Sequence, residues 1–141
     1  MKIALIGYGK MGRLLEERLS EKGHTVTAIV DPYVNPGKEL PSKAQAFVSL
    51  EEAIKDGLKG AEAAIEFTAP DAAAENLLLL SRAKIPLVCG TTGWFERLPE
   101  VSRTVEDGGI SLVWAANYSL GVNIFYRIAS YAAKLINPFK E

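Results

Sequence analysis

The 141-residue chain carries 16 basic and 17 acidic side chains and is 48% hydrophobic, which suits one soluble globular domain large enough to bury its own core. Near-balanced charge without a basic block excludes an electrostatic nucleic-acid binder, and no apolar stretch reaches the length of a membrane helix. Its one cysteine, Cys89, cannot close an internal disulfide, and the opening "MKIALIGYG" meets Gly7 and Gly9 too early for a signal peptide, so a cytoplasmic location is expected.

"KIALIG" (2–7) is a short, continuous apolar run ending in glycine, the pattern of a strand buried on both faces. The stretch that follows places Met11, Leu14, Leu15 and Leu19 on one helical face and stops at Gly23. A second strand is predicted over 25–31 and a loop over 32–43, where three prolines and a glycine break any regular pattern. Ser49 with Glu52 three residues on forms a capping box for a short helix, so Glu51 and Glu52 read as capping groups and not as paired acids.

"AEAAIEFT" (61–68) is the third strand, and Pro70 opens a helix over 70–84 at a first-turn position that tolerates proline. "IPLVCG" (85–90) is the fourth strand, and a helical stretch over 95–109 is expected to be interrupted by Pro99. "ISLVWAAN" (110–117) is the fifth strand, followed by a long helix over 119–137 that Pro138 halts. Strands that alternate with helices and stay apolar throughout predict an α/β fold, a Rossmann-type doubly wound parallel sheet with helices on both faces. Ligands of such sheets bind beyond the carboxyl ends of the strands, so each loop that follows a strand is a candidate site.

The loop "GYGKMG" (Gly7, Tyr8, Gly9, Lys10, Met11, Gly12) is G-x-G-x-x-G between a predicted strand and a predicted helix. Gly7 permits the tight turn, Gly9 lets a pyrophosphate approach the backbone, and Gly12 lets helix and strand pack closely, while the helix's free N–H groups hold the phosphates. Lys10 either assists electrostatically or is simply solvated. Asp31 ends the second strand nineteen residues after Gly12, where a carboxylate can accept from the adenosine ribose hydroxyls. Its charge would repel a 2′-phosphate and Pro32 supplies no cation, so NADH is the preferred cofactor and NADPH a possible one. The competing reading of Asp31 is a turn-forming Asp-Pro pair.

Three further strands end in polar or glycine-rich turns: "EFTAP" (66–70), "CGTTGW" (89–94) and "WAANYSLGVN" (114–123). In this order the set resembles the N-terminal domain of the 4-hydroxy-tetrahydrodipicolinate (dihydrodipicolinate) reductases of lysine and diaminopimelate biosynthesis. The resemblance lies in Met11-Gly12, in the F-T-x-P turn of Phe67, Thr68 and Pro70, in the G-T-T-G loop from Gly90 to Gly93, and in the hinge from Ala116 to Asn123, and it runs through essentially the whole chain. It implies that Phe67, Thr68, Gly90, Thr91, Thr92, Ala116, Asn117, Tyr118 and Ser119 line the nicotinamide end of the cofactor. Short hydroxyls and backbone groups there can orient a carboxamide without titrating, and Phe67 can pack near the ring.

The resemblance also implies a homotetramer for the full-length family, and a proton donor and substrate ligands in a later motif with adjacent histidines and a lysine. No catalytic residue or metal site is therefore assigned within the chain; catalytic groups are expected beyond Glu141. The single histidine, His24, sits in a helix-to-strand turn and reads as structural. Residues 1–118 are expected to form the dinucleotide-binding domain, and 119–141 a hinge and the first helix of a substrate-binding and tetramerisation domain that is absent. Ile124, Phe125, Ile128, Tyr131, Ala132 and Leu135 would then form an uncovered apolar stripe. That helix is expected to be disordered or to self-associate with another copy over 120–137, and one side of the sheet to lack cover. Cys89 reads as a small buried residue; Trp94 and Trp114 read as packing residues, with Trp94 also able to wall the nicotinamide pocket. Two other functions fit the same first half: an aspartate or homoserine dehydrogenase type of nicotinamide enzyme, and a non-catalytic NADH-sensing domain.

Overall fold

The computed structural model describes residues 1–139. Six strands, β1 (Lys2–Ile6), β2 (Thr25–Val30), β3 (Gln45–Phe47), β4 (Ala63–Glu66), β5 (Leu87–Cys89) and β6 (Leu112–Trp114), form one all-parallel sheet in the order β3-β2-β1-β4-β5-β6. The order reverses between β1 and β4, the topological switch point of a doubly wound sheet. The sequence pattern predicts five of the six strands. It does not predict β3, because three residues following a proline-rich loop give too short a run to show a period.

The helices are α1 (Lys10–Glu21), α2 (Leu50–Lys55), α3 (Pro70–Arg82), α4 (Leu98–Gly108) and α5 (Leu120–Ile136). Helix α1 covers one face through Leu15 and Leu19, which pack with Ile3, Leu5, Val26 and Ile29. Helices α2, α3 and α4 cover the other with Leu50, Ala53, Leu77, Leu78, Leu80 and Val101. The capping signals act as expected at Ser49, whose hydroxyl accepts from Glu52 N–H and donates to the Glu51 carboxylate at 2.7 Å. Pro99 departs from expectation. It occupies the first turn of α4, where its missing N–H costs nothing, after a 3-10 turn at Phe95–Arg97, so it starts the helix instead of interrupting it.

Helix α5 is formed, not disordered, and Ser119 caps it by accepting from Val122 N–H. None of its residues is buried, and Phe125, Ile128 and Tyr131 are each more than 60% exposed. At the adjacent sheet edge, Val113 of β6 is 56% exposed. The face of the sheet around β6 is thus uncovered, as the sequence suggested.

Candidate functional site: the carboxyl edge of the sheet

Strand register decides which loops meet. Ile6 lies opposite Val30 on one side and Glu66 on the other, Glu66 lies opposite Cys89, and Cys89 lies opposite Trp114. The residues that follow these strand ends, Asp31, Gly7, Phe67, Gly90 and Ala115, therefore stand in one row along the carboxyl edge. All four motif loops singled out in the sequence open onto that row.

At the switch point, Gly7 has φ +95°, and a Cβ there would lie 2.0 Å from the Phe67 carbonyl oxygen. Only glycine allows β1 and β4 to part this closely. A Cβ on Gly12 would lie 2.3 Å from the Gly7 carbonyl oxygen, so the third glycine sets α1 against the end of β1. Gly9 differs: a Cβ there would meet nothing within 4 Å. Gly9 is also the N-cap of α1 and offers no side-chain cap to its first N–H groups. Open space above uncapped helix N–H groups fits an anionic diphosphate.

Asp31 makes the turn expected of an Asp-Pro pair and also reaches the glycine loop. Its Oδ1 accepts from Tyr33 N–H at 2.8 Å, an Asx turn, while its Oδ2 accepts from Tyr8 N–H at 2.7 Å. The carboxylate thus braces the phosphate loop and still has unused acceptor directions for ribose hydroxyls. Tyr8 offers no free donor to a ligand. Its N–H goes to Asp31, its hydroxyl donates to the buried Glu16 carboxylate, and the Arg13 guanidinium lies 4.5 Å above its ring. Burial, reinforced by the bond to Glu16, pushes the Tyr8 phenol up to about 12. Lys10 and Met11 are exposed on the first turn of α1.

Two cavities open near this loop, and Asp31 lines the first. One, of about 540 Å³, runs from Asp31 past Val48 and Ser49 to Thr68, Ala72 and Asn76. It is mostly apolar, and its position next to Asp31 and the phosphate loop suits a nucleobase and its ribose. The other, of about 680 Å³, is lined by Tyr8, Tyr33 and Asn35, by two cations, Arg13 and Lys38, and by one anion, Glu39. Sequence reading missed Val48, Asn76, Arg13 and Lys38. Arg13 and Asn76 had a weak signal, as polar residues one and two turns into helices that begin at strand ends; Val48 and Lys38 had none.

Farther along the row, Phe67 lies over Gly90, where a Cβ would fall 2.1 Å from the ring. Thr91 is buried: its hydroxyl oxygen accepts from Thr68 N–H at 2.8 Å and its carbonyl from Trp94 Nε1 at 2.8 Å. Gly90 and Thr92 are left as the more open part of that loop. Trp94 is buried with its N–H committed, so it packs beneath the loop and does not wall a pocket. Tyr118 donates its hydroxyl to the Cys89 carbonyl at 3.0 Å, bringing the hinge to the row, whereas Ala116, Asn117 and Ser119 are exposed, with the Asn117 side chain accepting from Ser119 N–H. Burial, and then the neighbouring Glu66 carboxylate, pushes the Cys89 thiol far up, so it stays protonated and is no nucleophile.

With this geometry in place, comparison with known proteins is decisive. The sequence profile described as dihydrodipicolinate reductase, N-terminus, matches residues 1–118. The chain belongs to this family. It is 32% identical over 143 residues to 4-hydroxy-tetrahydrodipicolinate reductase of Cupriavidus pinatubonensis, covering 97% of this chain and 54% of that protein. It is 27% identical to the enzyme of the same name from Christiangramia forsetii, covering 100% of this chain and 52% of that one. The chain thus spans about half the length of these curated relatives.

Among solved structures, dipicolinate-bound dihydrodipicolinate reductase from Paenisporosarcina sp. TG-14 superposes with TM-score 0.76 at 23% identity, over 94% of this chain and 53% of that one. The WlbA dehydrogenase of Bordetella pertussis, in complex with NADH and UDP-GlcNAcA, gives 0.69 at 17% identity, over 82% and 34%. Both likenesses show the doubly wound parallel-sheet fold.

Proposed function

We propose that the chain is the cofactor-binding domain of a 4-hydroxy-tetrahydrodipicolinate reductase and binds a nicotinamide dinucleotide along the strand-end row. The observation that carries this reading is the register of β2, β1, β4, β5 and β6, which lines up Asp31, the Gly7–Gly12 loop, Phe67–Thr68, Gly90–Thr92 and Tyr118 on one edge. Gly9 and the first turn of α1 would hold the diphosphate, and Asp31 the adenosine ribose. Phe67, Thr68, Gly90 and Thr92 would hold the nicotinamide end, with Ala116, Asn117 and Ser119 closing on it from the hinge. When bound, the cofactor supplies a hydride, in this reading to an unsaturated cyclic dicarboxylate derived from aspartate semialdehyde and pyruvate.

This domain's part is orientation. The groups it presents at the nicotinamide end are hydroxyls, amides and one aromatic ring, and its nearby thiol is held protonated. The isolated chain is expected to bind cofactor without turnover, the substrate-holding and protonating groups belonging to the rest of the full-length reductase. Titration with NADH and NADPH, with Asp31→Ala as control, tests the reading; no binding of either nucleotide below millimolar concentration would sink it.

NADH remains the preferred cofactor, because Asp31 would repel a 2′-phosphate. Arg13 and Lys38, on the cavity lined by Tyr8 and Tyr33, outnumber the one anion there, Glu39, and supply the cations that Pro32 does not, which favours tolerance of NADPH. Double substitution Arg13→Ala/Lys38→Ala should then weaken NADPH more than NADH. A second copy is the occupant we propose for the apolar stripe of α5 in the isolated chain. Light scattering should show a species larger than a monomer, and Phe125→Glu/Ile128→Glu should return it to one. A wild-type monomer at high concentration would dismiss that contact.

A further inference from the structure

Glu66 ends β4 and is completely buried, with no cation among its hydrogen-bond partners. Its Oε1 accepts from the Thr68 N–H at 3.1 Å and from the Thr68 hydroxyl; its Oε2 accepts from the Cys89 thiol at 3.0 Å. Its backbone carbonyl accepts from Gly90 N–H at 3.0 Å. One residue thereby ties the turn after β4 to the loop after β5. Cys89 extends the tie to the hinge, because its carbonyl accepts from the Tyr118 hydroxyl.

Stability does not explain this carboxylate. A buried acid held only by neutral donors is costly, and an apolar residue of similar volume in its place is often neutral or stabilising. Each donor also has a second acceptor in hand. Thr68 N–H reaches the Thr91 hydroxyl oxygen, the Thr68 hydroxyl lies 3.5 Å from the Ala69 carbonyl, and the Cys89 thiol lies 3.8 Å from the Thr91 carbonyl. Losing Glu66 therefore strands none of them. What would be lost is their shared acceptor: Glu66 holds Thr68 and Cys89 through one carboxyl group, whereas Thr91 takes them at two separate atoms, its hydroxyl and its carbonyl.

We propose that Glu66 is a positioning residue for the nicotinamide half of the site, fixing the Phe67–Thr68 turn and the Gly90–Thr92 loop relative to each other without touching the cofactor. The inference rests on the cofactor-binding reading above. It predicts a separation that a purely structural residue would not produce. The adenosine half depends on Asp31, Gly9 and the Val48 end of the cavity; Glu66 hydrogen-bonds to none of these and meets the cavity only through Thr68 at its far end, so affinity for ADP-ribose should follow the substitution far less than affinity for NADH.

The test compares ADP-ribose and NADH affinities by calorimetry in the wild-type chain, Glu66→Leu and Glu66→Gln, with thermal unfolding of each. Expected are ADP-ribose affinities within about twofold of wild type, NADH weakened about tenfold, in line with loss of the directing hydrogen bonds, and a Glu66→Leu unfolding midpoint at or above that of wild type. Cys89→Ser, which keeps a donor to Glu66, should hold the wild-type ratio of NADH to ADP-ribose affinity, while Cys89→Ala lowers it; these two variants also serve if neither Glu66 variant folds. An unchanged ratio in every variant that removes Glu66 or the Cys89 donor overturns the inference alone. A wild-type chain that binds neither ligand overturns the cofactor reading and this inference with it.

Discussion

Between β1 and α1 the strand-end row is shaped by side chains that are missing; between β4 and β6 it is shaped by side chains that are present. Gly7 and Gly12 exist to let backbone meet backbone, and a Cβ on either would fall within 2.3 Å of a carbonyl oxygen. On the β4–β6 side, proposed above for the nicotinamide, Glu66, Thr68, Cys89, Thr91, Trp94 and Tyr118 form a connected hydrogen-bond network below the loops. A diphosphate is recognised by N–H groups that every sequence has, so the protein need only clear space for it. A nicotinamide ring must be held in one orientation for hydride transfer, which calls for particular side chains in particular rotamers.

The largest expected effect tests the backbone side. Gly7→Ala forces a Cβ against the Phe67 carbonyl at φ +95°, with backbone on both sides and no rotamer able to yield. Strain and overpacking together should cost on the order of 4 kcal/mol, read as a drop in the urea midpoint, with ADP-ribose and NADH binding lost together. Next comes Asp31→Ala, which removes two backbone hydrogen bonds and, in the proposed reading, the ribose acceptor. Both ligands should weaken by the same factor, roughly 10- to 100-fold. If NADH weakened far more than ADP-ribose, the division into two halves would be wrong.

Gly90→Ala is the counterpart of Gly7→Ala on the other side, and its cost should be smaller. The added Cβ would meet the Phe67 ring at 2.1 Å, but a half-buried ring can turn where a carbonyl cannot. We expect a loss of about 1–3 kcal/mol, measured by denaturant unfolding, with NADH weakened and ADP-ribose spared. In the double variant with Phe67→Ala the clash disappears, so the two costs should fall short of additivity by about 1 kcal/mol. Full additivity would mean that Gly90 is needed for its own backbone and not for the ring.

The same contrast explains what could be read before the fold was known. Gly7, Gly9 and Gly12 were legible because a backbone requirement writes itself as glycine at fixed spacing, and Asp31 because the fingerprint prescribes an acid about 20 residues on. Strand-helix alternation likewise gave the doubly wound sheet. Glu66 was not legible: inside "AIEFT" it looks like an ordinary polar strand end, and its partners at positions 68 and 89 meet only through the β4–β5 register. Glu16 was hidden in the same way. Within "LLEERL" it reads as a solvated helix charge, yet the phosphate-loop Tyr8 and the backbone N–H of Ser42, at 2.8 Å, bury it. In each case the missing information was tertiary. β3 escaped for a different reason, its three residues being shorter than any period.

Tyr8 supplies the smallest predicted effect and the one place where the glycine side leans on a side-chain network. Its phenol is raised from the ordinary value of 10 to about 12, so between those limits the folded chain keeps a proton that the unfolded chain has released. Stability from this group is full below pH 10 and falls as pH rises toward 12. Cys89, pushed up further still by burial and Glu66, adds a decline of the same sign that begins near its ordinary value of 9. Tyr8→Phe should remove only the first component, and thermal melts in steps from pH 8 upward would show it. The difference between wild type and variant should be flat to about pH 10 and narrow above it, since the phenylalanine chain has no proton to lose there. A constant difference throughout would mean that the folded chain leaves the Tyr8 phenol at its ordinary value, neither shielded by burial nor held by Glu16.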